Sequence, residues 1–317
     1  MKKLSIVVPC YNEQQNAKDF YVETQKYVQE LPIAVEYVFV DDGSKDQTLA
    51  ILRDMAEQDT DVHYISFSRN FGKEAAILAG FQYASGDAVI LIDADLQHPP
   101  SLIPTMWRHF EEGYDQVIAK RNRIGEKFVR RKLTNLYYKL INRLVDVTIT
   151  DGVGDFRLLS RQALDALLKM TEYNRFSKGL FSWIGFHEKV IEYDNQLRVN
   201  GTSKWSFSSL LNYGMDGILS FNNKPLRIAI YGGMFITLSG FIYILLTLIN
   251  YFLHGIDTPG YFTTISAIIV LGGMQLLFLG IIGEYIGRIY YETKRRPQYL
   301  VKEKSNKEQT DAGRVFQ

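Results

Sequence analysis

The first 120 or so residues alternate between short apolar runs and longer segments of helical character. The runs are Leu4–Pro9 ("LSIVVP"), Tyr37–Val40 ("YVFV"), His63–Phe67 ("HYISF"), Ala88–Ile92 ("AVILI") and Gln116–Ala119 ("QVIA"). Between them lie segments such as "DQTLAILRDMAEQ" and "KEAAILAGFQYA". Continuous apolar strands alternating with helices predict an α/β fold with a mostly parallel sheet covered on both faces.

Past residue 200 the pattern changes. Ile228–Leu253 and Thr258–Gly283 are uncharged stretches of 26 residues each. Each exceeds the roughly 20 residues that cross a hydrocarbon core. Two transmembrane helices are therefore expected, at about 228–253 and 259–283. Lys224 and Arg227 precede the first, and Lys294, Arg295 and Arg296 follow the second. The connecting "HGIDTPGYF" holds neither Lys nor Arg. This asymmetry places both termini and the large N-terminal region in the cytoplasm. The apolar run in "MKKLSIVVPCYNE" is too short for a signal peptide.

Ser206–Asn223 brings Phe207, Leu210, Leu211, Ile218 and Leu219 near one helical face, directly before the first span. It reads as an interfacial amphipathic helix, with an ordinary core helix as the plainer alternative. The expected organisation is a cytoplasmic domain over 1–205, this helix within 206–226, two spans within 227–290 and a cytoplasmic tail over 291–317.

The polar residues cluster where the strands end: "CYNE", "DDGSKD", "SRNFGKE", "DADLQHPP" and "KRNR". Open α/β sheets bind ligands along that edge. Asp93 and Asp95 stand two positions apart after Ala88–Ile92, so their side chains point the same way. With no Lys or Arg between them they repel unless a proton or a cation intervenes. Mg²⁺ or Mn²⁺ bound also to diphosphate oxygens meets that need, while helix capping before "LQHPP" is the bland reading.

Charge and composition narrow the field. Lys and Arg total 36 and Asp and Glu total 35, a net charge of +1 that gives no argument for a nucleic-acid partner. The single cysteine, Cys10, allows no internal disulfide and reads as a small buried thiol. No His or Cys spacing suits zinc. Neither G-x-G-x-x-G after the first strand nor a P-loop is present, so dinucleotide and P-loop chemistry lose their signature.

"IVVPCYNE", "VDDGSKD", "SRNFGKEAAILAGF", "GDAVILIDADLQHPP" and "GVGDFRLLSR" occur in the order and spacing of family 2 glycosyltransferases. The chain resembles the polyprenyl-phosphate branch: dolichol-phosphate mannose synthases and, more closely, bactoprenol glucosyltransferases. The late "GTSKW" and "GEYIGRIYYETKRRPQY" match the bacterial members, and the resemblance runs over residues 1 to about 300.

The resemblance implies a GT-A fold and an inverting transfer of a hexose onto undecaprenyl phosphate at a bacterial plasma membrane. Glucose from UDP-glucose is the first expectation; galactose and N-acetylglucosamine stay open. By position, Pro9, Tyr11, Glu13, Asp41, Asp42, Asp93 and Ala94 would line the nucleotide-sugar site. Asp95 would be the main ligand of Mg²⁺ or Mn²⁺, helped by Asp93 and Gln97. "DDGS" is also good turn chemistry, so Asp41 and Asp42 can divide the two roles. A homo-oligomer, a tetramer, follows from the family alone.

The basic run "KRNRIGEKFVRRK" leads into an apolar, aromatic segment, which suits an anionic lipid headgroup. Arg121 and Arg131 are assigned to the lipid phosphate, with Arg198 and Lys204 from the family's R…SK element. A solvated face accounts equally well for about half of the run.

Asp155 aligns with the family's general base. A lipid monophosphate, with a second pKa near 6, is already mostly dianionic at pH 7 and needs little deprotonation. Asp155 is then the better candidate for orienting the acceptor or the sugar. Arg157 would pair with it or hold a phosphate. A processive polysaccharide synthase would carry Q-x-x-R-W, which is missing. A catalytically idle membrane scaffold is the alternative from another class, and the intact "DAD", "YNE" and "GDF" argue against it.

Overall fold

The structure, a computed structural model, describes residues 1–122, 153–194, 224–254 and 260–305. The five apolar runs are five strands: β1 (Lys3–Cys10), β2 (Ala34–Asp41), β3 (Val62–Phe67), β4 (Ala88–Leu91) and β5 (Gln116–Arg121). They alternate with α1 (Ala17–Val28), α2 (Thr48–Gln58), α3 (Lys73–Tyr83) and α4 (Ile103–Glu111). Next come β6 (Val153–Ser160), α5 (Arg161–Leu168), α6 (Ser177–Trp183) and β7 (Glu188–Tyr193). Two long helices, α7 (Lys224–His254) and α8 (Tyr261–Lys294), lead to β8 (Val301–Lys304).

All eight strands form one sheet in the order β7-β5-β6-β4-β1-β2-β3-β8. β6 and β8 run against their neighbours; the other strand pairs are parallel. The fold is GT-A-like: α/β, with a mostly parallel sheet. Both faces are packed. Phe20, Phe39, Trp107 and Phe156 lie in one core layer, and Phe67, Phe81, Leu91 and Phe181 in the other. α3 is buried nearly all round, from Ala75 to Phe81. A Cβ at Gly80 would stand 2.2 Å from Val7 Cγ1, so the glycine lets α3 lie against β1.

β6 reshapes the ligand edge. It enters between β4 and β5 in the reverse sense, so it begins where they end. Its register pairs Leu91 with Arg157 and Ile90 with Leu158. Continued two residues, that register sets Asp93 opposite Asp155.

The first uncharged stretch lies within a continuous helix of 31 residues, and the second, from Tyr261 to Gly283, within one of 34 residues. Large apolar side chains stand exposed along both, including Phe235 at 72%, Phe252 at 77% and Leu276 at 71%. Among the described residues one stretch, Val270–Lys294, is long and apolar enough to cross a membrane, and a shorter apolar stretch covers Ala229–Tyr243. Gly232 and Gly233 face the Phe278 ring, where an added Cβ would make ordinary contact at 3.5 and 3.7 Å. The expected amphipathic segment Ser206–Asn223 lies outside the described residues.

The chain returns from α8 to the sheet. Tyr173 stacks on Tyr291 at 5.5 Å, and its backbone N–H donates to Glu292 at 2.9 Å. Tyr299 stacks on the buried Phe67 at 4.8 Å. β8 then pairs with β3, and Arg53 grips the Glu303 carboxylate through two bonds of 2.7 and 2.6 Å. Tyr299→Ala is expected to cost about 2 kcal/mol, since it removes most of an aromatic pair at a core edge. Thermal or denaturant unfolding of the full chain reads this, and an unchanged midpoint would show the tail contributing nothing.

Candidate active site

The loops after β1, β2 and β3 hold one another. Asn12, with φ +54°, accepts from the Lys45 N–H at 2.9 Å and donates its own N–H to the Ser44 hydroxyl at 2.9 Å. The Glu13 N–H donates to Thr48 at 2.8 Å, and its carboxylate accepts from Asn16 at 2.6 Å. Pro9 lies in β1, and Tyr11 follows it half-buried.

The Asp41 and Asp42 carboxylates face inward to the chain. Asp41 accepts from the Ser44 N–H at 3.0 Å, closing the Asx turn, and from the Ser66 hydroxyl at 2.7 Å. Asp42 accepts from the N–H groups of Phe71 and Gly72 at 2.6 and 3.0 Å. The residues are 1% and 3% exposed. Burial pushes the Asp42 carboxyl above its ordinary value, and the two backbone bonds partly offset this. Asp41 thus closes the turn read in "DDGS", while Asp42 holds the 69–72 loop. Gly43 sits at φ +64°, and a Cβ there would come within 2.4 Å of the Arg69 carbonyl carbon. Only glycine lets the 69–72 loop lie on this turn.

That loop delivers Lys73, the first residue of α3. Its ammonium stands 2.7 Å from Asp93 Oδ1, 3.0 Å from Asp93 Oδ2 and 2.6 Å from Asp155 Oδ2. The cation between the carboxylates is part of the chain. Asp93 also meets His98 Nε2 at 3.7 Å, and His98 Nδ1 shares a 2.7 Å hydrogen bond with the Tyr193 hydroxyl. Burial pushes the Tyr193 hydroxyl up to about 12.

Burial by itself would raise the Asp93 and Asp155 carboxyls. The Lys73 ammonium outweighs it, with His98 helping at Asp93, and both are held below the ordinary carboxylate value. Burial would lower the Lys73 ammonium, but the two carboxylates drive it above its ordinary value. All three groups are ionised at neutral pH.

Asp95 is half-buried at the same edge and accepts from the Gln97 N–H at 3.1 Å, across a turn that puts Leu96 at φ +56°. Ala94 is 2% exposed. Among the described residues no three His, Cys, Asp or Glu side chains converge as a metal cage. One carboxylate with a nearby amide matches the small protein share that Mg²⁺ or Mn²⁺ takes when phosphates and water complete the shell. The donor set thus fits such a metal through Asp95 and Gln97.

Arg121 ends β5 opposite Tyr193. Arg131, Arg198 and Lys204 lie outside the described residues. Arg157 is buried, with its guanidinium 3.8 Å over the Phe181 ring and a bond to the Gly154 carbonyl at 3.1 Å. Cys10 is buried, and burial pushes its thiol well up, as a small core residue requires. Lys73, His98 and Tyr193 were missed by sequence reasoning, although "SRNFGKE" and "LQHPP" both stood out at strand ends.

The profile of glycosyl transferase family 2 matches residues 5–168. A Bacillus subtilis protein described as a glycosyltransferase, CsbB, is 60% identical over 300 residues, 95% of this chain and 91% of the relative. The chain belongs to glycosyl transferase family 2. A second profile, the GtrB C-terminal hairpin, matches residues 224–289 of this glycosyltransferase, the span of α7 and most of α8. The bactoprenol glucosyl transferase of Shigella phage SfV is 42% identical to this family 2 chain over 306 residues, 96% of this chain and 100% of the relative. A solved structure of glucosyl-3-phosphoglycerate synthase from Mycobacterium tuberculosis, with Mn²⁺, UDP-glucose and phosphoglyceric acid, aligns with 69% of this chain and 79% of its own. Identity is 18% and the TM-score 0.46.

Proposed function

We propose that this glycosyltransferase moves glucose from UDP-glucose onto a polyprenyl phosphate, undecaprenyl phosphate, at the cytoplasmic face of a bacterial membrane. The observation that carries this reading is the end-to-end likeness to bactoprenol glucosyl transferases, helical hairpin included. The exposed apolar faces of α7 and α8 support two membrane spans within 227–290, with the domain over 1–205 and the tail from 291 on one side. The basic flanks support the cytoplasmic side.

In this reading an oxygen of the lipid phosphate attacks the anomeric carbon of glucose in line. The new C–O bond forms as the bond to the diphosphate breaks, UDP leaves, and the configuration inverts. A dianionic phosphate gives up no proton in the step. Asp155, ionised at the strand edge, orients the acceptor and balances positive charge developing at the anomeric carbon. Pro9, Tyr11, Glu13 and Ala94 lie along the sugar-nucleotide side. Asp95 and Gln97 would hold a divalent metal, which neutralises the departing diphosphate. Arg121, Arg131, Arg198 and Lys204 meet the lipid phosphate.

The test is purified full-length protein in lipid nanodiscs with undecaprenyl phosphate and a panel of labelled UDP-sugars. Glucose is expected on the lipid, with transfer lost on chelation and restored by Mg²⁺ or Mn²⁺. UDP-galactose and UDP-N-acetylglucosamine are expected at least about 10-fold slower. No lipid-linked sugar from any of the three would sink the reading.

A further inference from the structure

Asp93 and Asp155 face each other from adjacent antiparallel strand ends, as the β4–β6 register requires. Like charges set opposite across such a pair repel. A fold needing only stability would carry an amide at one of them. This chain instead keeps both carboxylates and brings Lys73 between them. Three loop contacts place that lysine: the Asp42 bonds to Phe71 and Gly72, and the close approach at Gly43. Both oxygens of Asp93 lie within 3.0 Å of the Lys73 ammonium, and His98 approaches one of them. Asp93 is thus turned toward the lysine, while Asp95 lies half-buried at the same edge with Oδ1 accepting from the Gln97 N–H. The lysine side chain is 43% exposed, so the bridge borders the open ligand edge.

We propose that Lys73 is a positioning residue for the transfer and that Asp93 acts through it: Asp93 anchors the ammonium, and the ammonium fixes the carboxylate of Asp155 against the reacting sugar. The proposal rests on the transferase reading above. It takes Asp93 out of the metal's ligand set, where the paired aspartates first placed it. A carboxylate displaced by about 1 Å loses on the order of 10²-fold in rate. That loss falls on the chemical step, because neither Lys73 nor Asp93 is needed here to hold UDP-glucose.

The experiment compares the full-length wild type with Lys73→Met, Lys73→Arg, Asp93→Asn and the double variant Lys73→Met/Asp93→Asn. Glucose transfer gives kcat and the KM for UDP-glucose. Mn²⁺ affinity in the presence of UDP is read separately, by water-proton relaxation. Each of Lys73→Met and Asp93→Asn is expected to lower kcat about 100-fold, with KM and Mn²⁺ affinity within about 3-fold of wild type. The double variant falls no more than about 3-fold below the weaker single one, because both changes break the same link. Lys73→Arg keeps at least about 10-fold more activity than Lys73→Met.

Three results overturn the proposal alone: normal kcat in Lys73→Met, recovery of kcat in the charge-balanced double variant, or Mn²⁺ binding weakened about 10-fold or more in Asp93→Asn with losses that multiply. A wild type that binds Mn²⁺ and UDP but glucosylates no polyprenyl phosphate overturns the transferase reading, and the proposal with it.

Discussion

Asp155→Asn is expected to lower kcat roughly 10³-fold, by the same factor at pH 6 as at pH 8. Burial would raise the Asp155 carboxyl, yet Lys73 at 2.6 Å holds it below the ordinary carboxylate value. A depressed carboxyl is ionised above the ordinary range and gains its proton only at more acid pH. It therefore undergoes no titration between pH 5 and 8, and its charge is available throughout. The acceptor phosphate does titrate there, near pH 6. Wild type and Asp155→Asn should both lose rate as pH falls through about 6, along parallel curves. The measurement is a pH–rate profile of each at saturating lipid. An asparagine variant that regains most of its activity above pH 7 would show that the carboxylate's charge is dispensable.

The second large effect is at Asp95. Asp95→Asn should abolish measurable transfer, a loss of about 10³-fold or more. The substitution isolates the charge cleanly. Asp95 Oδ1 accepts from the Gln97 N–H at 3.1 Å, and an asparagine oxygen can take the same bond, so the turn is kept. What is lost is the negative charge proposed to face the metal. Mn²⁺ affinity with UDP present should fall together with the rate. Near-normal turnover at ordinary metal concentration would remove Asp95 from the metal's shell.

The contrast between the two aspartates of "DAD" shows what a linear pattern carries. The apolar runs revealed five strands because buried parallel strands are continuously hydrophobic. They also located the ligand edge, since polar residues after each run have nowhere else to go. β6 escaped notice because "VGDFRLLS" mixes Gly, Asp and Arg into an apolar run, and its reversal appears only in the sheet order. With β6 unseen, Asp155 had no reason to meet Asp93. Lys73 was equally hidden: it stands 20 positions from Asp93, and a loop fold brings it there. Asp42, read from the sequence as a turn or nucleotide residue, holds the very loop that carries the lysine. β7 and β8 carry too few apolar residues to announce themselves.

The antiparallel pairing of β8 with β3 also sets an order of events during synthesis. β3 is complete at Phe67, but its partner starts at Val301. Until the ribosome has passed both long helices, the sheet carries a bare strand edge with unpaired N–H and C=O groups. Such an edge invites pairing with another nascent chain. The sheet is therefore sealed only after the apolar hairpin has emerged and must already have found its surroundings. Completion of the sheet waits on the most apolar part of the chain.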